Sequence, residues 1–120
     1  MISLRLPDGA TLCRDCRVAT SFATRFLGLM GRASMDPDEG LLFRTSSVHT
    51  SFMRFPIDVV FLDDELEVLK IVPTLKAWRL SARKGARWTL ELPAGTCEAR
   101  GLRVGDVLSV DPPDGLKRGS

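Results

Sequence analysis

The fold of this chain is decided by the stretch from residue 48 to residue 72, which reads VHTSFMRFPIDVVFLDDELEVLKIV. Within it, the run Ile57–Leu62 is apolar except for Asp58, and such a run is typical of a strand whose two faces are both covered. The acidic residues 63–65 favour a turn, and residues 66–72 then return as the antiparallel partner, which Pro73 is expected to end. The stretch therefore predicts a buried β-hairpin.

Shorter predicted elements continue this pattern on both sides of the hairpin. Strands are predicted over residues 3–6, 10–18, 41–43, 48–53, 86–92 and 107–110, with an irregular segment over residues 74–85. Thr20 or Ser21 is suited to cap a helix that ends at Gly31, and a second, short helix is predicted over residues 96–100. The chain is therefore expected to be mainly β (α+β), a small barrel- or sandwich-like β domain with one principal helix and one short helix. We expect one globular domain over residues 1–110 and a loose C-terminal tail over residues 111–120.

Length and charge limit the classes of partner. A chain of 120 residues is one domain by size and buries enough surface to fold without a metal or a disulfide. Its net charge of +2 does not by itself imply a polyanionic partner. The N-terminal residues do not resemble a signal peptide, and no apolar run approaches the length that spans a bilayer. We therefore expect a cytoplasmic protein with no membrane partner, and the sequence leaves its oligomeric state open.

The three cysteines are interpreted as reduced thiols. Cys13 and Cys16 form a C-x-x-C spacing that redox enzymes and zinc sites use. Their segment has the pattern of a strand, in which positions three apart point to opposite faces. Only Cys97 and His49 remain as further zinc ligands, far away in sequence. We therefore predict no metal site and no cofactor.

The residues that begin this decisive stretch form the best candidate site. His49 is the only histidine of the chain, and imidazole side chains are suited to proton transfer near neutral pH. Asp58 lies inside an apolar run and requires a partner, for which Arg54 or Arg25 is the obvious candidate. The predicted ligand-binding pocket consists of His49, Met53, Arg54, Asp58, Arg25 and Glu91. Each also has a structural interpretation: a buried arginine–aspartate pair, a core methionine, and for Glu91 a cap on the following short helix. The hydroxyls of Thr50 and Ser51 would serve as nucleophiles only if a base and an orienting acid met there.

A basic segment follows the hairpin. It contains Lys70, Lys76, Arg79, Arg83, Lys84 and Arg87, with Trp78 and Trp88 among them and no acidic residue between positions 68 and 90. Cations interleaved with aromatic residues are typical of single-stranded nucleic-acid binding. A solvated basic loop with Trp88 in the core is the favoured interpretation, because the net charge of the whole chain is small.

Several motifs in order resemble those of one family. They are RFLGLMGR at residues 25–32, GLLF at 40–43, VHTSFMRFPIDVVF at 48–61, LELPAG at 90–95 and GLRVGD at 101–106. Together they resemble domain-of-unknown-function family 192, a widespread prokaryotic family, over about residues 10–110. The resemblance implies a mainly β domain with one principal helix, and it implies no activity.

These observations leave three functional hypotheses. The leading one is a non-enzymatic binding domain with a polar pocket for a small polar or anionic ligand. The first alternative is a hydrolase- or isomerase-type enzyme that uses His49 with Asp58 or Glu91. The second alternative is weak nucleic-acid binding through the basic segment, residues 70–88, and it is the least favoured.

Overall fold

The computed structural model describes residues 2–19, 33–50 and 53–116. The strands found there are β1 (Ile2–Arg5), β2 (Thr11–Ala19), β3 (Glu39–Phe43), β4 (Ser47–His49), β5 (Ile57–Leu62), β6 (Val68–Leu75), β7 (Leu80–Ala82), β8 (Trp88–Pro93) and β9 (Ser109–Asp111). A short helix, α1, spans Thr96–Arg100 and ends at Gly101, whose positive φ of 71° suits a helix C-cap. The mainly β class and the short helix are confirmed, whereas the helix predicted to end at Gly31 lies outside the described residues.

Seven of these strands form one mixed sheet in the order β6-β5-β8-β3-β2-β1-β9. β2 and β3 are parallel, and the other neighbours in this sheet are antiparallel. β4 and β7 pair separately as a two-stranded antiparallel sheet. The predicted central strand is β5, whose residues are all buried, and it lies between β6 and β8.

The two faces of the large sheet pack against different apolar clusters. Val60 and Leu62 of β5 belong to the larger cluster, together with Leu90, Leu92, Cys97 of α1 and Leu4 of β1; we call this the helix-side core. Ile57, Val59 and Phe61 belong to the second cluster, together with Leu41, Val48 and Met53; we call this the loop-side core. Alternation along β5 separates the two cores, as expected for a strand covered on both faces.

Pairing among the described strands stops at β6 on one side of the large sheet and at β9 on the other. The two outer strands approach each other at one end, where Glu67 forms an isolated bridge with Val107 and the Leu108 amide donates to the Leu66 carbonyl at 3.0 Å. The sheet is thus joined there by a few contacts and is not a closed barrel, so the barrel- or sandwich-like description is not confirmed.

Most predicted strand ends are displaced by one or two residues, and three differences are larger. β6 continues through Pro73 to Leu75, because Pro73 lies on an edge strand at a bulge, between the Val59–Val72 and Ile57–Leu75 pairs, where a missing N–H removes no ladder hydrogen bond. The segment expected to be irregular contains β7. The strand predicted over residues 48–53 is shorter, since β4 ends at His49.

A bulge in β2 corrects the interpretation of the C-x-x-C spacing. The pairing of β1 with β2 shifts register between the Ile2–Cys16 and Leu4–Cys13 pairs, and the amides of Arg14 and Asp15 both donate to the Asp38 carbonyl. This irregularity brings Cys13 and Cys16 into the same helix-side core, so the prediction of opposite faces was wrong. Their hydrogen bond and the burial raise the pKa of the Cys16 thiol well above its ordinary value, which keeps the thiol protonated.

The C-terminal residues up to Leu116 lie against the domain. Asp111 belongs to β9 and pairs with Ser3 of β1, while Leu116 packs against the helix-side core. The predicted division at residue 110 therefore cuts through the last strand. Within residues 2–19, 33–50 and 53–116, the structure contains no helix with the length and apolar character needed to cross a bilayer.

Candidate functional site

Asp58 accepts hydrogen bonds from three backbone amides. Its side chain is fully buried, and Oδ1 accepts hydrogen bonds from the amides of Thr74 at 2.9 Å and Gly95 at 3.1 Å. Oδ2 accepts from the Cys97 amide at 2.9 Å. Gly95 is the N-cap of α1, so this carboxylate from β5 satisfies amide donors at the start of the helix, where negative charge is favourable.

This arrangement bears on two sequence interpretations. Among the described residues, Asp58 is hydrogen-bonded to backbone amides and to the Cys97 thiol, and Arg54 is not one of its partners, whereas Arg25 lies outside the described residues. The carboxylate that binds the α1 amides belongs to Asp58, so the capping role predicted for Glu91 was wrong. Sequence reasoning missed the Asp58 bonds because the helix start lies 37 residues further along the chain.

The carboxylate also controls the ionisation of a neighbouring thiol. Burial, the negative charge of Asp58 and a hydrogen bond to its carboxylate raise the pKa of Cys97 from 9.0 to about 12. The thiol is therefore protonated at neutral pH and donates to Asp58. Cys97 is a structural thiol with little nucleophilic character.

Glu91 lies on the opposite face of the sheet from Asp58. The β5–β8 register pairs Asp58 with Leu92 and Val59 with Glu91, and directly paired residues share a face. Glu91 is fully buried and lies between Val59 and Leu41, both members of the loop-side core. The sheet itself therefore separates the two carboxyl groups that the sequence grouped in one pocket.

The remaining pocket candidates lie in or beside the segment that follows β4. Met53 is buried in the loop-side core, which places it on the same side of the sheet as Glu91. His49 is half-buried at the end of β4 and pairs with Leu80, while the preceding residue, Val48, packs in that core. Arg54 is exposed. The structure thus brings Met53 and Glu91 to one face and places Asp58 behind the sheet, whereas Arg25 lies outside the described residues.

Thr50 holds two loops together. Its fully buried hydroxyl donates to the Lys76 carbonyl at 2.6 Å and accepts from the Arg79 amide at 2.8 Å. Its backbone amide donates to the Arg79 carbonyl, and its carbonyl accepts from the Trp78 amide. These bonds occupy the hydroxyl, which gives Thr50 a structural role and leaves it poorly placed to act as a nucleophile; Ser51 lies outside the described residues.

The basic segment divides into a core part and an exposed part. Trp88 is buried, with its ring 5.2 Å from the Arg44 guanidinium, so the expectation that Trp88 belongs to the core is confirmed. The Lys70 ammonium donates a hydrogen bond to the Ala82 carbonyl. Trp78 and Leu80 are 61% and 76% exposed, and Trp78 has a φ of +61°. No sequence pattern signalled that backbone conformation, since a left-handed tryptophan is rare.

The chain is similar to uncharacterised proteins of several archaea. The UPF0127 protein of Pyrococcus furiosus is 37% identical over 113 residues, covering 88% of this chain and 94% of that protein. The UPF0127 protein of Pyrococcus horikoshii is 37% identical over 102 residues, covering 78% of this chain and 85% of that protein.

Two solved structures share the fold. A Novosphingobium aromaticivorans protein of unknown function has a TM-score of 0.76 at 20% identity, covering 90% of this chain and 82% of that one. A Sinorhizobium meliloti protein, described as a candidate transcription regulator, has a TM-score of 0.78 at 24% identity, covering 92% of each chain. The model of domain-of-unknown-function family 192, described as "Uncharacterized ACR", matches residues 5–110. That match extends over most of the sequence, and the chain therefore belongs to this uncharacterised family.

Proposed function

We propose that this chain is a non-enzymatic binding domain that takes a small polar or anionic ligand beside His49, Met53 and Arg54. The observation that carries the proposal is the complete burial of the Glu91 side chain on the loop side of the sheet, between Leu41 and Val59. A carboxyl group is buried at a cost in free energy that its partners must offset, and buried ionisable groups are concentrated at functional sites.

In this proposal each residue of the loop has a separate role. Arg54 is exposed and pairs with an anionic group of the ligand, because a guanidinium binds a carboxylate or phosphate through two hydrogen bonds. His49 contributes a ring nitrogen, and Met53 forms an apolar wall on the Glu91 side of the sheet. Arg25 is retained as a predicted second cation. Asp58 does not line this site, and instead fixes the sheet and α1 from behind.

The geometry supports binding over catalysis for two reasons. The Thr50 hydroxyl is occupied by structural hydrogen bonds, and Asp58 lies on the helix side of the sheet while β4 packs on the loop side through Val48. An acid–base pair of His49 with Asp58 is therefore not supported. A pair of His49 with Glu91 stays a prediction. We also propose a cytoplasmic location, as expected from the sequence.

A thermal-shift screen against inorganic anions and small metabolites tests the binding proposal. We expect at least one compound to raise the Tm of the wild-type protein and of the control Arg14→Ala, which removes an exposed arginine of β2. The same compound should give little or no shift with Arg54→Ala and His49→Ala. The proposal fails if no compound stabilises the wild type, or if both loop variants respond as strongly as the control.

The same mixtures of protein and stabilising compound distinguish binding from the enzymatic alternative. NMR spectra of a stabilising compound, followed during incubation with the protein, should stay unchanged if the domain only binds. Time-dependent conversion that is lost in both His49→Ala and Glu91→Gln would replace the binding proposal with the enzyme.

A further inference from the structure

Two large apolar side chains are exposed within the basic segment: Trp78 in the loop between β6 and β7, and Leu80 at the start of β7. Trp78 and Leu80 are 61% and 76% exposed. The cations Lys76, Arg79, Arg83, Lys84 and Arg87 are all exposed as well. The chain has no acidic residue between positions 68 and 90 to neutralise them. We call these seven residues the Trp78 patch.

The backbone holds the Trp78 part of this patch in a defined conformation. Trp78 has a φ of +61°, a conformation that costs free energy for a bulky residue and persists only where the surroundings impose it. The surroundings here are the buried Thr50, whose carbonyl accepts from the Trp78 amide at 3.1 Å and whose hydroxyl accepts from the Arg79 amide at 2.8 Å. The buried Thr50 thus holds Trp78 in an unfavourable backbone conformation, although the Trp78 side chain lies mostly in solvent. This combination indicates a surface that binds a partner.

Three kinds of partner fit this patch poorly. A second copy of the chain would bring five cations against five cations across a symmetric contact. An added β-strand would find only three residues in β7, where the Ala82 carbonyl already accepts from the Lys70 ammonium at 3.1 Å. Single-stranded nucleic acid would find one exposed aromatic ring of the segment, because Trp88 is buried and Leu80 offers no flat stacking surface.

We propose that the Trp78 patch docks the domain on an anionic lipid bilayer. A tryptophan and a leucine flanked by Lys and Arg are the residues that interfacial contacts use, with the apolar groups at the acyl boundary and the cations at the headgroups. Each cation near an anionic surface raises the partition coefficient of a protein from water to the bilayer about fivefold. Such docking is peripheral and needs no spanning segment, so it departs from the sequence expectation of no membrane partner, which rested on spanning length.

Vesicle binding with tryptophan fluorescence tests this proposal directly. The chain has two tryptophans, and Trp88 is 5% exposed, so a blue shift on binding reports Trp78. We expect co-sedimentation with phosphatidylcholine vesicles that contain one third phosphatidylserine, and little with phosphatidylcholine alone. Brominated lipids should quench the fluorescence, and raised salt should release the protein.

Substitutions then locate the contact. Trp78→Ala, Leu80→Ser and the double variant Arg83→Ser/Lys84→Ser should each weaken binding about fivefold or more. The matched control is Val104→Ser, since Val104 is 63% exposed and lies outside the patch. Circular dichroism of each variant verifies that it is folded.

The proposal is overturned if the wild type does not bind anionic vesicles, or if Trp78→Ala binds them as well as Val104→Ser does. Salt-dependent fluorescence quenching by a single-stranded oligonucleotide, without any response to vesicles, would assign the patch to nucleic acid instead. The small-ligand proposal is measured separately, through Arg54 and His49 in a thermal-shift screen, so the failure of one leaves the other standing.

Discussion

At the scale of single residues, one buried carboxylate joins three parts of the chain. Asp58 reaches the bulged end of β6 at Thr74, the N-cap of α1 at Gly95 and the amide of Cys97. Backbone amides neutralise the charge of a carboxylate without another ionisable side chain. A substitution at Asp58 should therefore affect β5, β6 and α1 together.

We predict that Asp58→Ala lowers the free energy of unfolding by about 2–4 kcal/mol, because buried amides lose their acceptor. Asp58→Asn should lower the free energy of unfolding by less. The carbonyl oxygen of the asparagine still accepts hydrogen bonds, while its NH₂ group faces an amide donor that has lost its acceptor. Urea unfolding measures both, with Asp15→Asn, an exposed aspartate of β2, as the control. If Asp58→Ala unfolds at the same urea concentration as the control, the carboxylate does not hold these elements.

The Cys97 thiol predicts a pH dependence in the alkaline range. Folding raises its pKa from 9.0 to about 12, so the folded state favours the protonated thiol. The resulting stabilisation is complete below pH 9 and is lost as the pH rises towards 12. Chemical unfolding at several alkaline pH values should show stability falling with pH, and Cys97→Ala should make the fall shallower. An identical slope in the two proteins would contradict the assignment.

The residue-scale prediction from sequence was partly successful. The sequence identified Asp58 as a buried carboxylate that needs partners, since its apolar neighbours require it. It could not identify those partners, because backbone amides carry no sequence signature and α1 is distant along the chain. The sequence grouped Asp58 with Glu91, but Glu91 is paired with Val59, the residue after Asp58. Because successive residues of a strand point to opposite faces, the two carboxyl groups lie on opposite faces of the sheet.

At the scale of elements, the two-stranded sheet of β4 and β7 depends on Thr50. The small sheet has three residues in each strand, and two strands alone are marginally stable. The hydrogen bonds of Thr50 to residues 76–79 extend the contact beyond the strands themselves. This threonine is therefore the expected weak point of the segment that carries the Trp78 patch.

We predict that Thr50→Val destabilises the protein by about 1–3 kcal/mol, because the Arg79 amide and the Lys76 carbonyl lose their partner. Thr50→Ser keeps the hydroxyl and should retain most of the stability. Hydrogen exchange followed by NMR should show faster exchange of the Arg79 amide in Thr50→Val than in Thr50→Ser. Equal exchange rates would mean that the hydroxyl does not hold the loop.

Element types were easier to predict than their boundaries. The β5 hairpin and α1 followed from an apolar run, acidic turn residues and a C-terminal glycine, which act locally. The continuation of β6 past Pro73 required knowing that β6 is an edge strand. The β2 bulge required knowing that two successive amides share the Asp38 carbonyl. Both depend on neighbours far away in sequence.

At the scale of the whole molecule, the C-terminal segment completes the helix-side core. β9 ends at Asp111, and Leu116 packs on that core beyond it. An added Cβ at Gly115 would collide with the Ile2 side chain, so the segment lies close against β1. These contacts reach past the domain boundary that was predicted at residue 110.

We predict that a chain ending after Asp111 is less stable by about 1–2 kcal/mol than a chain ending after Leu116, because a partly buried leucine is lost. Thermal unfolding of the two truncated proteins measures the difference. Equal Tm values would support the original expectation of a loose tail beginning at residue 111.

The pairing of β1 with β9 has a consequence for synthesis on the ribosome. It joins Ser3 to Asp111, so β1 is completed by a strand that is synthesised much later than β1 itself. Until then β1 can pair with β2 alone, and its other edge is exposed to neighbouring chains. Contacts so distant in sequence also slow folding, because a long loop must close before they form. The final folding step of this domain is therefore expected only once β9 has left the ribosome, and until then the exposed edge of β1 leaves the nascent protein open to aggregation.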